Sequence, residues 1–93
     1  MYIDPIEIKG TKFIVDKKDC NAVQKALFDC GYGYLVGLSL DKKTRKYKST
    51  TAFYVNYAGE IETVSIDEYD DEVDFYTDFR DQPEEEISWT VLF

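Results

Sequence analysis

The chain contains no histidine. That removes the commonest general base, the commonest metal ligand and the side chain that titrates near neutrality. Cys–His pairs and Ser–His–Asp triads are therefore excluded. Cysteine is scarce as well, with only Cys20 and Cys30. Ten residues apart on one helix, two thiols are separated by about 15 Å, whereas a disulfide needs Cα atoms within about 7 Å. Free thiols fit a reducing compartment. No run of about 18 apolar residues is present, so no membrane-spanning helix is expected. Met1-Tyr2-Ile3-Asp4-Pro5 has neither a basic nor an apolar leader region, and a secretory signal is not expected.

Basic charge is the other scarcity: 11 Lys and Arg face 19 Asp and Glu, giving a net charge of −8. The deficit is local. The segment Asp67 to Glu86 holds eleven of the acids and one base, Arg80. The remainder of the chain is slightly positive. Four aromatics, Tyr69, Phe75, Tyr76 and Phe79, lie among these acids, which a purely solvating tail would lack.

A length of 93 residues, with 44% hydrophobic and 16% aromatic content, suits one small domain spanning 1–93. Ile6–Lys9 and Lys12–Val15 read as two short strands about a turn at Gly10-Thr11. Asp16 suits an N-cap, and Cys20, Val23, Leu27 and Cys30 repeat at helical spacing, so a helix is expected over Lys17–Cys30, ended by Gly31. Tyr34–Leu40 reads as one strand. Asp41–Lys48 reads as a polar turn carrying Lys42, Lys43, Arg45, Lys46 and Lys48. Thr51–Tyr57 and Glu60–Ile66 complete a three-stranded meander around Ala58-Gly59.

The acidic segment reads as a helix over about Asp70 to Arg80. Tyr69, Val73, Tyr76 and Arg80 form one stripe, and Phe75 and Phe79 form another. Repulsion between Asp70 and Asp74 and between Asp74 and Asp78 opposes an isolated helix, so its rings must dock on the sheet. Val73 with Phe75 or Phe79 is expected in the core, and Asp70, Asp71, Asp74 and Asp78 on the surface. Ile87, Trp89, Val91 and Phe93 alternate and read as a closing strand after Pro83. The fold class is α+β: an antiparallel sheet of about five to six strands in the order ββ-α-βββ-α-β, with the helices packed on one face.

The candidate chemistry thins out on inspection. Paired carboxylates on a helix surface supply no cleft for acid–base work. Asp70, Glu72 and Asp74 have the 1, 3, 5 spacing of a calcium loop, but Phe75 stands where that loop needs glycine and Asp81 where it needs glutamate. Gly31-Tyr32-Gly33 follows a helix rather than a strand, the reverse of a dinucleotide fingerprint. No catalytic residue, metal or cofactor is expected, and the chain reads as a non-enzyme.

A concentrated negative field with interspersed rings is instead the composition of an interface for a basic protein. Six acids from Asp70 to Asp81 along about 17 Å of helix give about one charge per 3 Å, near the 3.4 Å per phosphate of one DNA strand. The candidate partner-binding residues are Glu68, Tyr69, Asp70, Asp71, Glu72, Asp74, Tyr76, Asp78 and Asp81. Direct nucleic-acid binding is opposed by the net charge. An edge strand, Ile6–Lys9 or Ile87–Phe93, offers pairing between two copies of the chain.

The run Glu68-Tyr69-Asp70-Asp71-Glu72-Val73-Asp74-Phe75-Tyr76-Thr77-Asp78 resembles the acidic C-terminal part of a small phage-encoded anti-CRISPR family that blocks a type II RNA-guided nuclease. Leu27-Phe28-Asp29-Cys30-Gly31-Tyr32, Ala52-Phe53-Tyr54-Val55, Gly59-Glu60-Ile61 and Glu86-Ile87-Ser88 resemble small uncharacterised proteins of tailed phages. These resemblances imply a phage accessory protein, in the host cytoplasm, that disarms a CRISPR effector or restriction nuclease by occupying its nucleic-acid site. Two other functions fit the same residues. One is an immunity protein or antitoxin neutralising a basic nuclease toxin. The other is a small-molecule binder that sequesters a signalling nucleotide, which needs a basic pocket such as Lys42–Lys48 would supply.

Overall fold

The computed structural model describes residues 8–93. At the centre lie two antiparallel strands, β1 (Thr11–Val15) and β4 (Thr51–Val55), paired with Phe13 opposite Phe53. Both strands alternate, so each has two apolar or half-apolar faces. Phe13, Val15, Phe53 and Val55 point to one side, where Phe13 and Phe53 stack with ring centres 5.8 Å apart. Helix α1 (Cys20–Asp29) covers that side with Val23, Leu27 and Phe28. Ile14, Ala52 and Tyr54 point to the other side, which α2 (Glu72–Asp81) covers with Phe75 and Phe79.

The sheet is therefore sandwiched. The helices lie on opposite faces, not on one face as the sequence suggested. The reason is visible in β4: Thr-Ala-Phe-Tyr-Val carries hydrophobic atoms at every position, and a strand buried on both faces needs a cover on each.

β5 (Ile61–Ser65) pairs antiparallel with β4 through the turn at residues 56–60. The other edge is β6, only Glu85–Glu86, which runs parallel to β1 opposite Thr11 and Lys12. The sheet is thus four-stranded and mixed, in the order β5-β4-β1-β6. A separate two-stranded ribbon, β2 (Tyr34–Val36) and β3 (Ser39–Asp41), replaces the single strand expected over Tyr34–Leu40. Gly37 has φ of +65° and opens a two-residue turn with Leu38, the geometry of a type II′ hairpin.

Two further expectations are corrected at the ends of the chain. The closing strand Ile87–Phe93 is not a strand: after β6, Ser88 caps a 3-10 turn over Trp89–Leu92 through its Oγ, which accepts from the Thr90 amide. Only two residues of β6 find partners on β1. Ile87, Trp89 and Leu92 then meet their need for burial by packing against the α1 core. The first strand of the expected leading hairpin, Ile6–Lys9, lies partly outside the described residues. Ile8 and Lys9 are not in a strand. Ile87–Phe93 is therefore not an edge strand of the kind the sequence suggested.

Helix α1 is prefaced by a 3-10 turn, Lys17–Asp19, and closes with Cys30 as C-cap, so the helical stretch matches the expected Lys17–Cys30. Gly31 follows at φ of +94°, the left-handed position. Cys20 is buried and Cys30 exposed, and both thiols are free. Among the described residues no helix is long and apolar enough to cross a membrane.

Candidate interaction surface

The acidic segment begins where β5 ends. A 3-10 turn over Ile66–Glu68 is closed by the Glu68 carboxylate, whose Oε2 accepts from the Ser65 amide at 2.6 Å. Tyr69 then turns its ring inward and stacks on Phe75, with centres 5.7 Å apart. Asp71 starts α2 as its N-cap, its Oδ1 accepting from the Val73 amide at 2.8 Å. That is the favoured role of aspartate at this position, and Glu72 and Asp74 in the first turn suit the positive end of the helix dipole.

Phe75 and Phe79 are each only 2% exposed. Burying two phenylalanines contributes about 3–6 kcal/mol, against a few tenths for the Asp74–Asp78 repulsion. Docking therefore wins over repulsion. A second anchor holds the far end. Lys12, buried within β1 at 3% exposure, sends its ammonium to the last carbonyls of α2, donating to Phe79, to Arg80 at 3.3 Å and to Gln82 at 2.7 Å. A cation at a helix C-terminus is favoured by the dipole and supplies donors to carbonyls that have no partner within the helix.

This docking fixes which residues face outward. Val73 is 65% exposed, so its expected place in the core is wrong. At 100° per residue it stands about 200° around the axis from Phe75. The stripe Val73, Tyr76 and Arg80 is real, but it faces away from the sheet and lines a shallow groove with Asp71 and Glu72. Tyr76 is half-buried because its ring stacks on Phe75 at 5.1 Å.

Glu68, Asp70, Asp71, Glu72, Asp74, Asp78 and Asp81 are all exposed, the first three ahead of α2 and the others on it. Asp74, Asp78 and Asp81, spaced at i, i+4 and i+7, run down one flank of α2. The helix begins at Glu72 rather than Asp70, so the helical charge spacing is wider than a continuous helix from Asp70 would give. The carboxylates divide by task. Glu68 and Asp71 close local turns. The Asp78 carboxylate near the Tyr69 hydroxyl, with burial and the surrounding acids, raises the Tyr69 pKa above its usual value. The side chains of Asp70, Glu72, Asp74 and Asp81 make no hydrogen bond to another described residue.

Beside the aspartate flank lies a cleft of about 190 Å³ lined by Tyr54, Glu62, Val64, Tyr69, Asp78, Gln82 and Glu84. Burial, followed by the negative groups around it, pushes the Tyr54 hydroxyl up to about 12. Oε2 of Glu84 is buried and has no donor among the described residues. Sequence reading missed Tyr54, Glu62 and Glu84 here. Glu62 and Tyr54 come from β5 and β4, directly opposite each other in the ladder, and only the sheet register brings them to α2. Three carboxylates and two hydroxyls around one cleft suit an entering guanidinium or ammonium.

The other face of the sheet has the opposite character. Residues 8–50 carry ten Lys and Arg against four acids, while residues 51–93 carry one against thirteen. The basic loop after β3 packs on the α1 side, with Arg45 stacked over Tyr34 and Tyr47 edge-on to Phe53. The sheet separates a positive pole from a negative one. Among the described residues no group of three or more His, Cys, Asp or Glu side chains is arranged to hold a metal ion. No family model, no curated protein and no solved structure matches the chain.

Proposed function

We propose that the chain is an acidic, non-catalytic inhibitor whose α2 side binds a basic nucleic-acid-binding enzyme in place of its DNA or RNA. A host defence enzyme, such as a CRISPR effector or a restriction nuclease, is the class of target the sequence resemblances suggest. The observation that carries this reading is the division of labour on α2. Phe75, Phe79 and Lys12 hold the helix on the sheet, and Asp70, Glu72, Asp74 and Asp81 remain outside, their side chains bonded to no other described residue. A fixed set of exposed carboxylates suits a site built for phosphates and steers a basic partner toward it.

Val73 and Tyr76 add apolar surface to the same helix, and an interface draws most of its binding energy from such anchors. A lysine or arginine lying over Val73 places its stem on carbon and its head near Asp71 and Glu72. An arginine entering the Tyr54–Tyr69 cleft supplies the donor that Glu84 lacks.

The test is charge reversal at positions whose side chains bond to no other described residue. Glu72, Asp74 and Asp81 are changed together to Lys, while Asp71 is left in place because it caps α2. Lys at Glu72 and Asp74, at the positive end of the helix dipole, costs about 1–2 kcal/mol of stability. Loss of partner binding by a variant that still folds after that cost supports the reading. Undiminished binding by the triple variant removes it.

A further inference from the structure

The positive pole holds a second site. Lys17, Cys20, Asn21, Thr44, Arg45, Lys46 and Tyr47 line a cavity of about 580 Å³ between the start of α1 and the loop after β3. That volume lies in the range of small-molecule pockets, about 300–1,000 Å³. Three of its lining residues, Lys17, Arg45 and Lys46, are basic and none is acidic.

Its basic wall is held in place. The loop over residues 42–50 has no helix or strand of its own, yet it is pinned from beneath by Gln24, which is fully buried. Gln24 Nε2 donates to the Arg45 carbonyl at 2.9 Å, and Gln24 Oε1 accepts from the Arg45 amide at 2.6 Å. The same Oε1 accepts from the Tyr34 hydroxyl at 2.8 Å, and Nε2 also donates to the Cys20 carbonyl at 3.1 Å. Every hydrogen-bonding position of the amide is filled. The Tyr47 hydroxyl bridges Tyr34 and Thr63, each at 2.9 Å. Beside this network the Arg45 guanidinium lies 3.8 Å from the centre of the Tyr34 ring, toward a neighbouring hollow that it shares with Glu60 and Glu62, so Lys17 and Lys46 are the cations left to the cavity itself. A basic wall fixed before any ligand arrives loses little entropy on binding.

Lys17 and Lys18 stand in the first turn of the α1 helical stretch, where the dipole disfavours cations. An anion in the cavity turns that placement from a cost into a gain. Cys20 adds no covalent chemistry. Burial raises its thiol pKa, and the thiol points at the Val15 and Asp16 carbonyls.

We infer that the cavity between α1 and the 42–50 loop binds a small phosphorylated ligand, of the size and charge of a nucleotide. The cavity's size, about 580 Å³, suits one nucleotide rather than a strand. The site is independent of the α2 surface, which lies across the sheet.

The test is a titration of the full chain with inorganic phosphate, pyrophosphate, AMP and a single-stranded oligonucleotide, followed by amide chemical shifts at fixed ionic strength. Saturable shifts confined to Asn21 and Thr44–Tyr47, tighter for pyrophosphate or AMP than for phosphate, are expected. Lys17→Gln with Lys46→Gln, both at exposed positions, should weaken that binding about tenfold or more without changing the melting temperature. Glu72, Asp74 and Asp81 changed to Lys should leave it intact. Absence of saturation at about 10 mM ligand, above the weakest affinities of interest, overturns the inference. So does binding unaffected by the two lysine changes, or an oligonucleotide that binds more tightly than AMP.

Discussion

The ammonium of Lys12 donates to the carbonyl of Phe79 and sits 4.8 Å from the centre of that residue's ring. One lysine on the central strand thus holds the end of the acidic helix in two ways, as a donor to its last carbonyls and as a cation over its buried ring. The consequence is that α2 depends on a residue sixty-seven positions earlier in the chain.

Lys12→Met keeps most of the stem but removes the donors. The Arg80 and Gln82 carbonyls then lose the ammonium, and the buried Phe79 carbonyl keeps only the Gln82 amide at 3.4 Å, at a cost of about 2 kcal/mol. Chemical denaturation should show that loss, and hydrogen exchange should show faster opening of Phe79 to Asp81 than of α1. Exchange that accelerates evenly over the chain contradicts the proposed role.

Gln24→Leu tests the buried network under the basic loop. It strands the amide and carbonyl of Arg45 and the Tyr34 hydroxyl at once, so a loss of about 3 kcal/mol is expected. The Arg45 amide should lose its protection from exchange by more than the amides of β4 do. Tyr47→Phe, which removes only the outer link, should cost about 1 kcal/mol.

Alkaline stability follows from the phenols and the buried thiol. Tyr54 is pushed up to about 12 from an unfolded value near 10, and Tyr34, Tyr69 and Cys20 shift the same way. Each group holds its proton more tightly when folded. Its contribution is therefore complete below the unfolded pKa and is lost as pH rises through the folded one. Stability should fall from about pH 9, where Cys20 begins to count, and steeply between about 10 and 12. Tyr54→Phe should flatten that fall, as read by denaturant midpoints across the range.

Thiol chemistry should separate the two cysteines. Cys30 is exposed and Cys20 is buried with a raised pKa. A thiol reagent should modify Cys30 in the native protein and both residues only after denaturation. Equal reactivity of the two native thiols contradicts the described packing of Cys20 beneath β1.

The parts of the fold written in local pattern were readable, and the parts set by pairing were not. Val23, Leu27 and Cys20 recur at helical spacing, so α1 follows from one periodicity. Phe75 and Phe79, four apart, mark the buried face of α2. Giving Val73 a core place alongside them was an error that the angle between them would have revealed. Ile87 to Phe93 alternates like a strand, but β1 offers its edge only at Thr11 and Lys12, and nothing within residues 87–93 records that limit. Lys12 reads locally as the polar member of an alternating strand. Its burial under α2 depends on contacts across most of the chain. At the candidate surface the exposed acids were legible from composition, whereas the Tyr54, Glu62 and Glu84 cleft arises from strand register and was not.

The most direct measurement of the central claim is capture from a bacterial lysate on the immobilised protein, followed by elution with a DNA duplex or an RNA. The Glu72, Asp74 and Asp81 to Lys variant is run in parallel. If α2 occupies a nucleic-acid site, wild type retains a DNA- or RNA-binding enzyme that the competitor releases and that high salt weakens, and the triple variant does not retain it. A protein held equally by wild type and variant, or one that the competitor fails to release, contradicts the claim.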